Sequence, residues 1–96
     1  METKEAVYRV AQEALTNAIK HAHASSLTVN LGAENGCLRL GVRDDGAGFD
    51  PGGDFPGHMG LQSMRERANR LGGTLEITSA PGQGTAVEVA IPAHES

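Results

Sequence analysis

The chain has 96 residues, 39% hydrophobic and 21% charged, and twelve acids against eight Lys and Arg leave a net charge of −4. That length suits one domain with a two-layer core, expected to span residues 1–96. Charges of both signs are mixed along it, with no basic stripe of the kind nucleic acid requires. No apolar run approaches a membrane span, and Met1-Glu2-Thr3-Lys4 does not read as a signal peptide. Cys37 is the single cysteine, so no internal disulfide forms and a reducing compartment fits.

Residues 3 to 24 predict a helix. Val7, Val10, Ala11, Ala14, Leu15, Ala18, Ile19 and Ala22 recur at helical spacing without an interrupting Pro or Gly. At ~100° per residue this apolar arc is expected to centre opposite Glu13. Glu13, Asn17 and Lys20 stand four and three residues apart and form a polar stripe flanked by His21. The stripe combines an acid, an amide and a base instead of alternating surface charges.

Leu27, Val29 and Leu31 alternate, Glu34-Asn35-Gly36 supplies a turn, and Leu38, Leu40 and Val42 alternate after it, the pattern of a hairpin. A loop follows with Gly46, Gly48, Gly52, Gly53 and Gly57, too rich in glycine to hold one conformation unaided. A second helix is expected from about Met59 to Leu71, with Leu61, Met64, Ala68 and Leu71 on its buried face and Gly72-Gly73 as its stop. Leu75 and Ile77, the turn Pro81-Gly82-Gln83-Gly84, and Val87, Val89 and Ile91 predict a second hairpin. The elements add to an α/β fold, a sheet of four strands with two helices packed on one face.

Period-two parity places Asp44 on the face of Leu38, Leu40 and Val42, and Thr85 on the face of Val87, Val89 and Ile91. A carboxylate and a hydroxyl thus point into the helix-covered side at strand ends. A buried carboxylate requires a donor, and an exocyclic amine such as adenine N6 would serve. Asp44 followed by Gly46 and Gly48 is equally compatible with an ordinary turn, and Thr85 with a β-favouring residue. Gly57-His58-Met59-Gly60 before a helix reads either as a connection or as an anion site at the helix N-terminus. Asn17 is either a neutral surface residue or an oxygen ligand suited to magnesium, with Lys20 as a charge for phosphate and Glu13 as a carboxylate near the reacting end. His21 and His23 stand two apart on a helix and do not face each other; with His58 and His94 they read as ordinary polar residues. Arg65, Glu66, Arg67 and Arg70 read as a solvated face.

With these residues in order, the chain resembles the catalytic ATP-binding domain of bacterial sensor histidine kinases, in the superfamily shared with gyrase and MutL. Glu13-x-x-x-Asn17 with Lys20 and His21 looks like the family's N box. Asp44-x-Gly46-x-Gly48 resembles its first glycine box, Gly57-x-x-Gly60-Leu61 the second, and Gly82-x-Gly84-Thr85 the third. The run Gly60 to Ala68 is similar to the subfamily that signals to helix-turn-helix response regulators. The resemblance implies a two-layer α/β sandwich of the histidine kinase ATPase type, its mixed sheet covered on one face by helices, with a flexible lid from about Asp50 to Pro56.

It further implies ATP and Mg2+ as ligands. Asn17 would hold magnesium, and Asp44 would read adenine with Gly46, Gly48 and Thr85 at the base end. Lys20 or His21 and the turn Gly57, His58, Met59, Gly60 and Leu61 would serve the phosphates, with Glu13 catalytic. The implied function is donation of the γ-phosphoryl to a histidine on a separate dimerisation and phosphoacceptor domain in two-component signal transduction. That domain's helix hairpin is not in this chain, and no histidine here is in an acceptor-like context, so the fragment is expected to bind nucleotide without autophosphorylating. The isolated fragment is expected to be a cytoplasmic monomer that touches neither nucleic acid nor membrane, and the parent a homodimer. An anti-sigma-factor type of serine kinase uses the same nucleotide site, but Met64 to Ala68 argues against it. A gyrase or MutL module would need further domains and a larger lid, and intact Glu13 and Asn17 argue against a regulator without transfer activity.

Overall fold

A computed structural model of the chain describes residues 2–21, 23–49 and 58–92, with no side-chain description for Glu2, His21, His58, Met59 and Leu61. The elements run α1 (Glu2–Thr16), a π-helical turn (Asn17–His21), β1 (Leu27–Glu34), β2 (Cys37–Asp44), α2 (His58–Arg70), β3 (Thr74–Ser79) and β4 (Thr85–Pro92). The expected lid, 50–56, and Gly57 lie outside the described residues.

The four strands form one sheet in the order β1-β2-β4-β3, and every neighbouring pair is antiparallel. This corrects the expected mixed sheet. Two hairpins supply two of the pairings, and β2 and β3 run the same way but are kept apart by β4, which opposes both. The first hairpin turns on Asn35 (φ 52°) and Gly36 (φ 78°), two consecutive left-handed residues between paired Glu34 and Cys37. That conformation matches strand twist and explains the Asn-Gly choice.

Register turns the alternation into rows across the sheet. Val29, Val42, Val87 and Ile77 form one row, and Leu31, Leu40, Val89 and Leu75 the next. Val42, Val87, Leu40, Val89, Leu75 and Ile91 are buried, packed beneath Ala6, Val7, Val10 and Ala14 of α1 and Ala68 of α2. Ile91 has no exposed surface, so Ile91→Ala removes about 2–5 kcal/mol of stability. The helices lie over β2, β4 and β3; β1 is exposed along its whole length, with Leu31 67% exposed.

The first helix is shorter than its apolar spacing suggests. Its α-helical part stops at Thr16, a π turn follows, and His23 takes a left-handed φ of 52°. Beyond the helix end, the N–H groups of Ser25 and Ser26 bond to the Asp45 carboxylate (2.9 and 2.8 Å). Helix α2 ends as the sequence predicts. The N–H of Gly73 bonds the Ala68 carbonyl (2.8 Å) and that of Gly72 the Asn69 carbonyl (3.1 Å), with Gly72 at φ 84°. This closes the last helical carbonyls in a Schellman arrangement.

Candidate functional site

Connectivity brings the four motifs to one end of the sheet. Helix α1 begins where Thr3 Oγ donates to the Pro92 carbonyl (3.4 Å) at the far end, and runs toward the start of β1. There Leu27 pairs with Asp44, Asp44 with Thr85, and Thr85 with Ser79, one row across all four strands. The β3–β4 turn emerges beside that row, and α2 begins at the same end before running back toward β3.

Asp44 and Thr85 share the helix-covered face, as parity predicts, and both are half-buried. The Gly46 N–H donates to Asp44 Oδ1 at 2.7 Å, so the carboxylate has one partner inside its own loop. Gly48 (φ 69°) and Gly84 (φ 76°) have no room for a side chain: a Cβ on Gly48 would strike the Ala80 carbonyl, and one on Gly84 the Asp44 carbonyl. The two loops therefore pack backbone to backbone, and the Gly82 N–H bonding to the Ala47 carbonyl joins them. A shallow pocket of about 340 Å³ opens here, lined by Asp44, Asp45, Ser79, Gln83 and Thr85 among others.

Two residues that hold this end together carry no sequence signal strong enough to be singled out. Ser79 Oγ accepts the Phe49 N–H (2.9 Å), lies 2.8 Å from Thr85 Oγ1 and donates to the Gly84 carbonyl (3.0 Å). Its position was accessible by extending the alternation of Leu75 and Ile77 by one step. Asp45 ties the segment after the first helix to the strand end, and the Ser26 N–H, foremost, with the Ser25 N–H and hydroxyl, holds its carboxyl below the usual aspartate range. Nothing in its neighbourhood along the chain points to Ser25 and Ser26.

At the other side of the site the polar stripe is not opposite the apolar arc, as expected, but on its border. Both amide atoms of Asn17 are buried and have no hydrogen-bond partner among the described residues. Glu13 is half-buried and Lys20 exposed. Counting 100° steps, Asn17 falls beside Val10 and Ala14, which are buried, so the amide enters the interior with them. The π turn that begins at Asn17 is of a type that recurs at functional sites. The Glu13 carboxyl lies against Gly60 in the first turn of α2: a Cβ there would sit 2.6 Å from Oε1 and 2.7 Å from Oε2. The polar stripe of the first helix and the start of α2 thus meet at one contact. A groove of about 310 Å³ beside it is lined by Arg9, Gln12, Glu13, Thr16 and Met64. Arg65, expected in a solvated face, is half-buried and donates to the Leu75 carbonyl (3.4 Å).

For a hard divalent cation the donor set has one clear member. Among the described residues no three His, Cys, Asp or Glu side chains gather into a metal cluster. The Asn17 amide oxygen is a neutral ligand of the right hardness, and its lack of a partner fits it to a metal that retains waters and shares phosphate oxygens.

A family model described as "Histidine kinase-, DNA gyrase B-, and HSP90-like ATPase" matches residues 2–95. The chain belongs to that family. It is 45% identical over 86 residues to the sensor histidine kinase LiaS of Bacillus subtilis (strain 168), covering 90% of this chain and 24% of that protein. It is 37% identical over 89 residues to the sensor protein VraS of Staphylococcus epidermidis, covering 93% and 26%. The chain therefore spans about a quarter of the length of these relatives. Among solved structures, the histidine kinase domain of the Erythrobacter litoralis EL346 blue-light activated histidine kinase superposes with a TM-score of 0.73 at 28% identity, covering 96% of this chain and 45% of that one. The Acinetobacter baumannii histidine kinase AdeS gives 0.73 at 19% identity, over 95% and 47%, a likeness of fold alone. No described helix is long and apolar enough to cross a membrane.

Proposed function

We propose that this domain binds Mg-ATP across the motif-bearing end of the sheet and donates the γ-phosphoryl to a histidine on a separate dimerisation and phosphoacceptor domain. The observation that carries the reading is the buried, unpartnered amide of Asn17, beside a carboxylate seated on a glycine in the first turn of α2. A buried amide left unpaired costs stability and is kept where a ligand completes it. Family membership and the kinase names of the relatives support the same reading.

The chain's own residues divide the work. Asp44 and Thr85 accept from the exocyclic amine of the base, and Gly48 and Gly84 let two loops close behind it. Asn17 would hold a magnesium ion, which when bound supplies positive charge to the phosphate oxygens. Lys20 or His21 serves the phosphates as a cation or donor, together with Gly57 and with His58, Met59, Gly60 and Leu61 at the start of α2. Glu13, whose carboxyl lies against Gly60, is the catalytic carboxylate of this reading. Phosphoryl transfer depends on positioning and charge stabilisation more than on covalent groups, which suits a site of this composition.

The parent is a homodimeric sensor kinase in this reading, acting in the cytoplasm on a helix-turn-helix response regulator. The test uses labelled ATP with magnesium. The isolated chain should acquire no acid-labile phosphohistidine, and adding the parent's dimerisation domain should yield a label on that domain's histidine, lost with Asn17→Ala. Efficient self-labelling of the isolated chain would overturn the assignment.

A further inference from the structure

Ser79 Oγ has three polar neighbours and a hydroxyl has one proton and two lone pairs, so a single arrangement satisfies all three contacts together. The Gly84 carbonyl only accepts, so it takes the Ser79 proton (3.0 Å). The Phe49 N–H only donates, so it takes one lone pair (2.9 Å). In the arrangement that satisfies all three contacts at once, Thr85, at 2.8 Å, donates to the second lone pair. The Thr85 proton is thereby committed toward β3, and its oxygen offers lone pairs only. One row neighbour away, Asp44 is also an acceptor, with its Oδ1 already bonded to Gly46.

We propose that Ser79 is a positioning residue that sets the direction of the Thr85 hydroxyl, making the base end of the site an edge of acceptors that favours an exocyclic amine and rejects a ring carbonyl. This rests on the reading of Asp44 and Thr85 as the base end. Ser79 acts through Thr85. Without it, the Thr85 proton has lost its acceptor and is free to swing toward the ligand, where it can donate to a carbonyl. The loss of the Phe49 contact, by contrast, would weaken every nucleotide alike.

Two triphosphates separate these effects by titration calorimetry on the 96-residue chain: ATP, with an amine at C6, and inosine triphosphate, with a carbonyl there. Ser79→Ala should lower the ATP-over-inosine preference about tenfold, the scale of one oriented hydrogen bond, with inosine triphosphate affinity rising in absolute terms. Ser79→Thr keeps a hydroxyl and should retain the parental ratio. In a Thr85→Val background, Ser79→Ala should leave the ratio unchanged, since no proton is left to redirect. Equal weakening of both nucleotides by Ser79→Ala would show that Ser79 only braces the loop, and would overturn the proposal. Asp44→Asn is the control for the underlying reading. If it abolishes the ATP preference while Ser79→Ala leaves the ratio unaltered, the base end stands and the role of Ser79 falls. If Asp44→Asn leaves the preference intact, the base-end reading itself falls, and this inference with it.

Discussion

Replacing Asn17 by Leu should make the nucleotide-free domain more stable and the nucleotide complex weaker. Both amide atoms of Asn17 are buried without partners, on a residue bordering Val10 and Ala14. Each unpaired buried polar group costs about 1–3 kcal/mol, and leucine fills a similar volume without one. Denaturant unfolding should therefore show a gain of about 1–3 kcal/mol, and melting should rise by about 4–8 °C for each kcal/mol in a domain of this size. Asn17→Ala leaves a small void and should gain less. Calorimetric titration of either variant should show loss of the magnesium-dependent part of ATP affinity, with adenosine affinity retained. A variant that melts below the parent and still binds Mg-ATP at full strength would refute the argument, since the amide would then be a paired structural group.

Gly84→Ala places a methyl against the Asp44 carbonyl at a φ of 76°, and should cost at least about 1–2 kcal/mol in unfolding free energy, together with ATP binding measured by titration. Gly60→Ala drives a methyl into the Glu13 carboxyl, so phosphotransfer in the reconstituted assay should fall further than adenosine affinity, which reports the other end. Asp45 has a folded pKa below its unfolded value, so its contribution is present above about pH 4 and is lost as pH falls through the depressed value. An Asp45→Asn variant should be less stable than the parent at neutral pH, and the difference should shrink in acid, read from denaturation midpoints across that range.

What was legible in the chain was whatever follows from local rules. The Asn35-Gly36 turn, the Gly72-Gly73 stop and the facing of Asp44 and Thr85 each depend on backbone conformation or on period-two alternation, and each is found as expected. The π turn was not legible in the helical spacing, nor were the bonds of Ser25 and Ser26 to Asp45, which stands twenty residues from Ser25. The contact of Glu13 with Gly60 is likewise a matter of how two helices pack. Ser79 reads as an ordinary strand residue until three partners from two segments converge on one oxygen. The burial of Asn17 does not follow from its polarity, which fits a surface amide as well as a ligand; a residue on the border of an apolar arc goes inside when its neighbours do.

The two ends of the site differ in how complete they are without ligand, and that difference has a measurable consequence. At the end proposed for the base, Asp44, Gly46, Ser79, Gly84 and Thr85 are joined by short hydrogen bonds and close backbone packing. At the end proposed for the phosphates, the Asn17 amide has no partner among the described residues, and Asn17 opens the π turn. A network with its donors and acceptors satisfied resists opening, whereas an unpaired group at a helix end does not. Native-state hydrogen exchange should therefore protect the amides of Phe49 and Gly46 in the free domain more than those of residues 18–21. Mg-ATP should raise protection over 18–21, and adenosine alone should not, because only the complete ligand supplies a partner for Asn17. Equal protection of both ends in the free domain would contradict this division of the site into a prearranged base end and a ligand-completed phosphate end.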